Sequence, residues 1–463
     1  MLNPTIHARR RQVLTTRVPG PILLLGNGHR ARNLPMTPLP FRQDSTFLYY
    51  TGCDLPGSAA LLVEGRCVLF LPEPEPEDPL WHGEVPSLEA LRERYGADAV
   101  RPAATLPDAL PRDPVKVLAV ADENRNRLGS RICSIPLAFG QDHGDPALMD
   151  AVIAMRRTKE AEEIAEMRRA AEHSAAAHVA VMRATHPGGS ERALAALFDA
   201  ILAARGCTPG YGTILSQSGE VLHNDRHDQV LSAERLLLLD GGGEVETGYG
   251  ADITRTWPVD GRFRPRQRAA YDAVLAALEE SIACCRAGVR YREVHDTASR
   301  VIARWLRDEG LITVDPDTSV ETGAHGVFFP HGVGHLLGMD VHDLENFGDR
   351  PAYPPDRGRP DQFGTRNLRL DLPLEPGWVV TIEPGFYVAP AILADPRLRE
   401  TLAGQVDFER ARDWIGFGGI RLEDNVLVTA GAPEVLTEVP KAPADVEALV
   451  GSGTPADELL AST

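Results

Sequence analysis

Between residues 151 and 440 the chain runs through one order of elements twice, two helices and then extended segments, and this constrains its fold more than any other feature. The spacing predicts a first helix over about Thr158–Thr185, with Ile164, Met167, Ala171, Ala175 and Val179 on one apolar stripe. Thr158 is the candidate N-cap, and Glu160, Glu162 and Glu163 load the first turn favourably against the helix dipole. His186-Pro187-Gly188-Gly189 stops that helix, and Ser190 caps a second one reaching Gly206. The period then changes. Leu236–Leu239 is a continuous apolar run, as in a buried strand. Tyr249–Trp257 alternates, with Asp252, Thr254 and Thr256 on one face and Ile253, Arg255 and Trp257 on the other. The second pass gives helices near 266–286 and 291–309, then extended segments near 378–389 and 417–429. An internally duplicated α+β domain is expected, although residue-level similarity between the halves is weak.

Residues 1–150 read differently, as an α/β unit of short strands. Ile22–Leu25, Ala59–Val63, Val68–Leu71 and Val115–Val120 are brief apolar runs, with a helix expected around Leu88–Tyr95 and a loop over the acidic, Pro-rich 72–79. The small, polar residues 441–463 are expected to form a loose tail.

Lys and Arg total 48 against 66 Asp and Glu, a formal charge of −18, so a phosphate backbone is repelled on average and nucleic acid is not an expected partner. No apolar run approaches the ~18–20 residues of a membrane span, and Pro19, Gly20 and Pro21 interrupt the stretch after Arg9–Arg11, so neither a span nor a secretory signal is expected. Six cysteines (Cys53, Cys67, Cys133, Cys207, Cys284, Cys285) show no metal-binding CxxC spacing and no dense disulfide framework. A cytoplasmic protein with reduced thiols is the expectation.

Chemistry concentrates in the duplicated region. Asp240 ends the LLLLD run, Asp252 opens DITRTW, Glu383 follows WVVTI, and Glu423 interrupts GGIRLEDNVLVT. Singly, such residues often form turns. Beside apolar strand residues, however, a carboxylate is costly unless paired or metal-bound. His331 and His335 are four apart, as in the zinc HExxH pattern, but Gly332 and Gly334 discourage a helix and no internal Glu is present. A Gly-rich loop or strand presenting one histidine to an oxygen-rich site is the alternative; a histidine with no function beyond packing is also open. Four carboxylates and one imidazole would balance two divalent ions, with Mn favoured by the oxygen ligands and Co, Fe or Zn suited by the nitrogen. Two metals roughly 3.5–4 Å apart can activate water and polarise a carbonyl, which is hydrolytic machinery. Arg421, two residues before Glu423, would share its strand face and favour the ionised carboxylate, unless the two form an exposed ion pair.

The segments DGGGEVETGYGADITRTWPV, HGVGHLLGMDVHD, TIEPGFYV and GGIRLEDNVLVT resemble, in order, the motifs of the pita-bread metallopeptidases, which include methionine aminopeptidase, prolidase and aminopeptidase P. PFRQDSTFLYYTGC resembles the N-terminal domain of aminopeptidase P, and the likeness spans roughly 5–440. The resemblance implies a creatinase-like α/β domain over 1–150 and a pseudo-symmetric pita-bread catalytic domain over 151–440. It implies Asp240, Asp252, His335, Glu383 and Glu423 as ligands of two divalent ions, with Asp252 and Glu423 bridging. Glu383 would be the acid/base. His223, His331 and His342 would position substrate or move protons, with Tyr387 and Arg421 in support.

The implied activity is an Xaa-Pro aminopeptidase acting on peptides with proline at the second position, with prolidase as the alternative. A metal-free creatinase-type hydrolase is disfavoured because all five ligands are present, as is a non-enzymatic binding scaffold, which would typically lose ligands and gain basic patches. A homodimer or homotetramer is also implied. Two departures stand out. Asp240 and Asp252 are twelve apart where the family usually has eleven, an extra residue assigned to the Gly-rich hairpin; and the stretch between Val341 and Glu383 is long, with Pro351, Pro354, Pro355 and Pro360, as a lid or interface insertion would be.

Overall fold

The computed structural model describes residues 2–84, 86–141 and 143–461. Contacts divide the chain into two units, one of residues 1–156 with 344–348 and one of residues 157–343 with 349–463.

The first unit is built on a five-stranded mixed sheet in the order Ala99–Pro102, Arg66–Leu71, Ala59–Val63, Ile22–Leu25, Lys116–Val117. Three of its strands fall where the apolar runs predict them; the fourth run, Val115–Val120, contributes only Lys116–Val117. Ala99–Pro102 carried no such signal, because a sheet-edge strand has little to bury. Leu23, Leu25, Ala59, Leu61, Phe70 and Val117 form its core. The expected helix is present over Leu88–Tyr95, capped by Ser87. The 72–79 segment is a loop only to Glu77; Pro79 sits at the start of a short helix, Asp78–His82, where a proline needs no N–H partner.

In the second unit the doubled order is visible directly. Helices Ala161–Ala184 and Glu191–Ala204 precede the sheet Thr254–Pro258, Leu236–Asp240, Ile214–Ser216. Helices Pro265–Cys284 and Tyr291–Asp308 precede the sheet Val379–Ile382, Asp424–Leu427, Glu434–Val435, and the pair Gly385–Tyr387 with Gly419–Arg421 lies alongside in sequence. The first helix starts later than its spacing suggests: Glu160, not Thr158, is the N-cap, in a reciprocal capping box with Glu163. Tyr249–Trp257 is a regular strand only from Thr254; its earlier residues pair irregularly, with Gly250 bridged to Glu244 and the Ala251 N–H on the Gly243 carbonyl.

Residues 349–376 contain no strand, yet Tyr353, Leu368, Leu370 and Leu374 lie in the main hydrophobic core, so this stretch is part of the packed body and not a free flap. Residues 441–461 also differ from the expected loose tail. They form helices Pro443–Leu449 and Ala456–Ala461, anchored by buried Val446 and Ala456.

Candidate metal centre

Strand pairing starts the site. Leu236–Asp240 runs antiparallel to Thr254–Pro258 with Asp240 opposite Thr254. Asp252 lies two residues before that strand, where the Asn425 side chain holds both its N–H, at 3.1 Å, and its carbonyl. Glu423 falls in the break between Gly419–Arg421 and Asp424–Leu427, and its N–H donates to the Thr254 carbonyl at 3.0 Å. Glu383 directly follows Val379–Ile382, with its N–H donating to Val333 O at 2.8 Å.

His331–His335 forms no helix. It runs as extended chain against Val379–Ile382, with Leu336 bridged to Val380. Gly334 makes this approach possible: its φ is +152°, and a Cβ there would lie 2.2 Å from Thr381 O and 2.4 Å from the Tyr291 hydroxyl. Its neighbour His335 donates from its own N–H to Thr381 Oγ1 at 3.1 Å. The ring Nδ1 faces the Leu336 carbonyl at 3.0 Å, which fixes the proton there and leaves Nε2 turned to Asp252 at 3.4 Å and Glu383 at 3.8 Å.

Three sets of groups have potential ligand atoms within 4.8 Å of one another: Asp240, Asp252 and Glu423; His335, Glu383 and Glu423; and Asp252, His335 and His342. All five residues expected as ligands are therefore together, and the His342 ring packs at a 40° tilt against that of His335, with centroids 4.1 Å apart.

The supporting bonds differ from expectation in one respect. Arg421 is 4% exposed, so it is no surface ion pair. Its guanidinium reaches Asp240 as well as Glu423's neighbours: Nη2 donates to Asp240 Oδ2, Nη1 to the Tyr387 hydroxyl at 3.0 Å and Nε to Thr254 Oγ1 at 3.0 Å. Thr254 Oγ1 in turn donates to Glu423 Oε2 at 2.7 Å. Tyr387 and His331 are joined at 2.9 Å through His331 Nε2. His223 is exposed, and among the described residues no hydrogen bond ties it to the cluster; it is close enough for its charge to disfavour protonated His331.

Electrostatics follow from packing so many acids in one place. Burial, then Asp252, Glu383 and Asp240, push Glu423 well above the usual carboxylate range. Burial pushes Glu383 up to about 7, with His335 and Arg421 opposing; its side chain keeps 18% of its surface open. Burial also raises Asp240 against the pull of Arg421. At Asp252 burial acts upward, but the His335 hydrogen bond and charge bring the group below its ordinary value. The same contact, outweighing burial, raises His335 to about 9, whereas burial and Arg421 take His331 down to about 3.

Such a cluster fits cations. Glu423 Oε1 is buried and has no hydrogen-bond partner, a costly state for a carboxylate oxygen unless a metal takes it. Arg421 and a protonated His335 are two positive charges among four carboxyls, so without a metal Glu383 and Glu423 are pushed toward their neutral forms.

Several residues of the site carried no usable signal in the sequence. The Tyr211 hydroxyl contacts Oδ1 of both Asp240, at 2.5 Å, and Asp252. Arg255 and Asp424 are fully buried and bonded at 2.8 Å, and Arg255 Nη1 also donates to the Glu423 carbonyl at 2.7 Å. Period-2 alternation assigns Arg255 to the face opposite Thr254, and that much was readable; Tyr211 sits in an unpatterned Gly-rich segment.

Comparison with known proteins gives the following. Residues 165–430 match the model of metallopeptidase family M24, and residues 7–116 match the aminopeptidase P N-terminal domain. A probable Xaa-Pro aminopeptidase of Paracoccidioides brasiliensis is 36% identical over 428 residues, 89% of this chain and 88% of its own. The solved structure of Pseudomonas aeruginosa aminopeptidase PepP superposes with a TM-score of 0.79 at 32% identity, covering 99% of both chains. Zinc-substituted Escherichia coli aminopeptidase P in complex with product gives 0.78 at 30% identity, covering 97% of this chain and 98% of that one.

Proposed function

The chain belongs to metallopeptidase family M24, and we propose that the cluster around Asp252 and Glu423 is the two-metal centre of its peptidase activity. It is a hydrolase, an aminopeptidase that cleaves the bond between an N-terminal residue and a following proline. The relatives named above are aminopeptidases, and none favours prolidase. The observation that carries the two-metal reading is the overlap of the ligand sets: Asp240, Asp252 and Glu423 form one, His335, Glu383 and Glu423 another, with Glu423 common to both.

When bound, divalent ions supply Lewis acidity, polarising the scissile carbonyl and making water nucleophilic near neutral pH. The ligand set, four carboxylates to one imidazole, favours Mn, with Co, Zn or Fe also compatible. Glu383 is the proton carrier. Its carboxylate, at the edge of the ligand set, can accept a proton from water and release it to the departing proline nitrogen. His331 is kept neutral by burial and Arg421; with its Nδ1 proton on the Gly332 carbonyl at 2.8 Å, its Nε2 accepts from the Tyr387 hydroxyl, and the pair lines the substrate side of the centre. His342, packed against His335 and exposed, is the group on the solvent side. His223, exposed beyond His331, completes the substrate-facing set.

Proline at the second position suits such a site, since an Xaa-Pro bond lacks the N–H and the free φ that strand-binding peptidases use. No helix among the described residues is long and apolar enough to cross a membrane. All six cysteines are free, in keeping with a cytoplasmic setting. Assembly as a homodimer or homotetramer is part of the same reading.

The test is hydrolysis of matched Xaa-Pro and Xaa-Pro-Xaa peptides by Mn-reconstituted protein, with a chelator control. Cleavage of the tripeptide before proline, abolished by chelation, is expected. Dipeptide cleavage alone would make the protein a prolidase, and chelator-resistant cleavage would remove the metal centre from the reaction.

A further inference from the structure

Behind the substrate-facing histidines lies an ion pair that the ligand set does not use. Lys159 Nζ and Asp343 Oδ2 are 2.9 Å apart, and both side chains are only 1% exposed. A salt bridge so thoroughly removed from water contributes little to net stability compared with apolar packing, so its value is better sought in what it orients.

Its placement is specific. Asp343 immediately follows His342, and its N–H donates to the Leu336 carbonyl at 3.0 Å, closing the loop Leu336–Asp343 that starts next to His335. The other partner comes from a different element. Lys159 lies just before the helix Ala161–Ala184, and its own N–H is fixed to the Gly377 carbonyl at 2.8 Å, at the entrance to the strand Val379–Ile382. The pair is packed onto Gly338 in the middle of the loop: a Cβ there would be 2.2 Å from Asp343 Oδ2 and 3.0 Å from Lys159 Cε. The loop is thus held at its end by Asp343, at its centre by the contact with Gly338, and against the strand by Leu337 N–H on Val379 O at 3.0 Å. The residue next to this anchored end is His342, whose ring lies 4.1 Å from that of His335.

We propose that Lys159 is a positioning residue for the peptidase reaction, acting through Asp343 to hold His342 in its orientation beside His335; this rests on the function proposed above. Lys159 touches neither ligand nor substrate, and its effect is transmitted wholly by the loop.

A double-mutant cycle tests it. Lys159→Met with Asp343→Asn removes both charges at nearly constant volume, so no lone buried charge remains to unfold the protein. In the otherwise native enzyme this pair of changes should lower kcat/KM on an Xaa-Pro-Xaa tripeptide roughly 10–100-fold, as misdirected supporting groups do. In a His342→Ala background the same changes should cost less than about twofold, because the group they orient is already gone. Gly338→Ala, which displaces the pair by sterics with its charges intact, should behave in the same way and serves if the first variant fails to fold. Losses that multiply in the His342→Ala background, or no loss in the native one, would overturn the proposal. A native enzyme inactive on the tripeptide would instead overturn the function it rests on.

Discussion

Tyr211 places its hydroxyl 2.5 Å from Asp240 Oδ1 and in contact with Asp252 Oδ1, between two carboxylates that would otherwise face each other unscreened. A hydroxyl has one proton to donate, so it bonds one acid at a time while keeping the pair apart. Tyr211→Phe should leave the fold intact, since the ring packing is unchanged, and weaken metal binding about 10–100-fold, the usual effect of removing a group that orients a ligand. Competition against a calibrated chelator measures this; unaltered affinity would show that the hydroxyl plays no part in arranging the ligands.

Arg421 makes a stricter demand on side-chain shape. Its three nitrogens reach three acceptors, Asp240, the Tyr387 hydroxyl and Thr254 Oγ1. A lysine ammonium is one point of charge and cannot span that fork. Arg421→Lys should therefore retain the charge yet lose on the order of 10–100-fold in kcat/KM. If Lys supported full activity, charge alone would account for the residue.

Removing a ligand is more severe. Glu383→Ala and His335→Ala each take away a member of a ligand set, and Glu383→Ala also removes the proton carrier. Hydrolysis should fall by about 10³-fold or more, with circular dichroism unchanged, because proton transfer alone contributes ~10²–10⁴-fold. Glu383→Gln separates the two roles by keeping the shape and abolishing the proton transfer. Wild-type rates in either alanine variant would sink the site assignment.

These outcomes also mark what the sequence could and could not disclose. Asp240, Glu383 and Glu423 are readable because each follows or interrupts apolar strand residues, a conflict that burial makes expensive, whereas Asp252 gains meaning only beside them. The helices at Ala161, Glu191, Pro265 and Tyr291 were readable because each buries a stripe with the helical period. Tyr211 and Lys159 were not. Nothing local distinguishes a tyrosine between glycines, or a lysine before a helix, from a solvent-exposed one; their partners lie 29 and 184 residues away. Arg421 does favour the ionised form of Glu423, as their spacing suggests, but its direct bond is to Asp240, 181 residues away, which no spacing discloses. The C-terminal helices were missed for a related reason, since Val446 and Ala456 matter only once there is a surface to receive them.

Metal removal and pH are coupled through the same residues. In the metal-free protein Glu383 is raised to about 7 and His335 to about 9, and both must give up a proton to act as ligands. Metal binding should therefore release protons, and affinity should climb between pH 6 and 9. The stability of the metal-free chain runs the other way. A carboxyl raised from its ordinary 4.5 binds its proton more tightly folded than unfolded, so Glu383 loses its stabilising contribution as pH rises from about 4.5 to 7. The contribution of His335 is complete below about 6.5 and is lost as pH passes 9. Metal replaces those protons, and ligand binding at 100 times Kd adds about 2.7 kcal/mol to the folded state. The difference in Tm between Mn-loaded and chelator-treated protein should accordingly widen from pH 6 to pH 9, and calorimetric titration in two buffers of different ionisation enthalpy should reveal the released protons. A difference in Tm that stayed constant or narrowed over that range would mean that Glu383 and His335 are not the groups the metal displaces protons from.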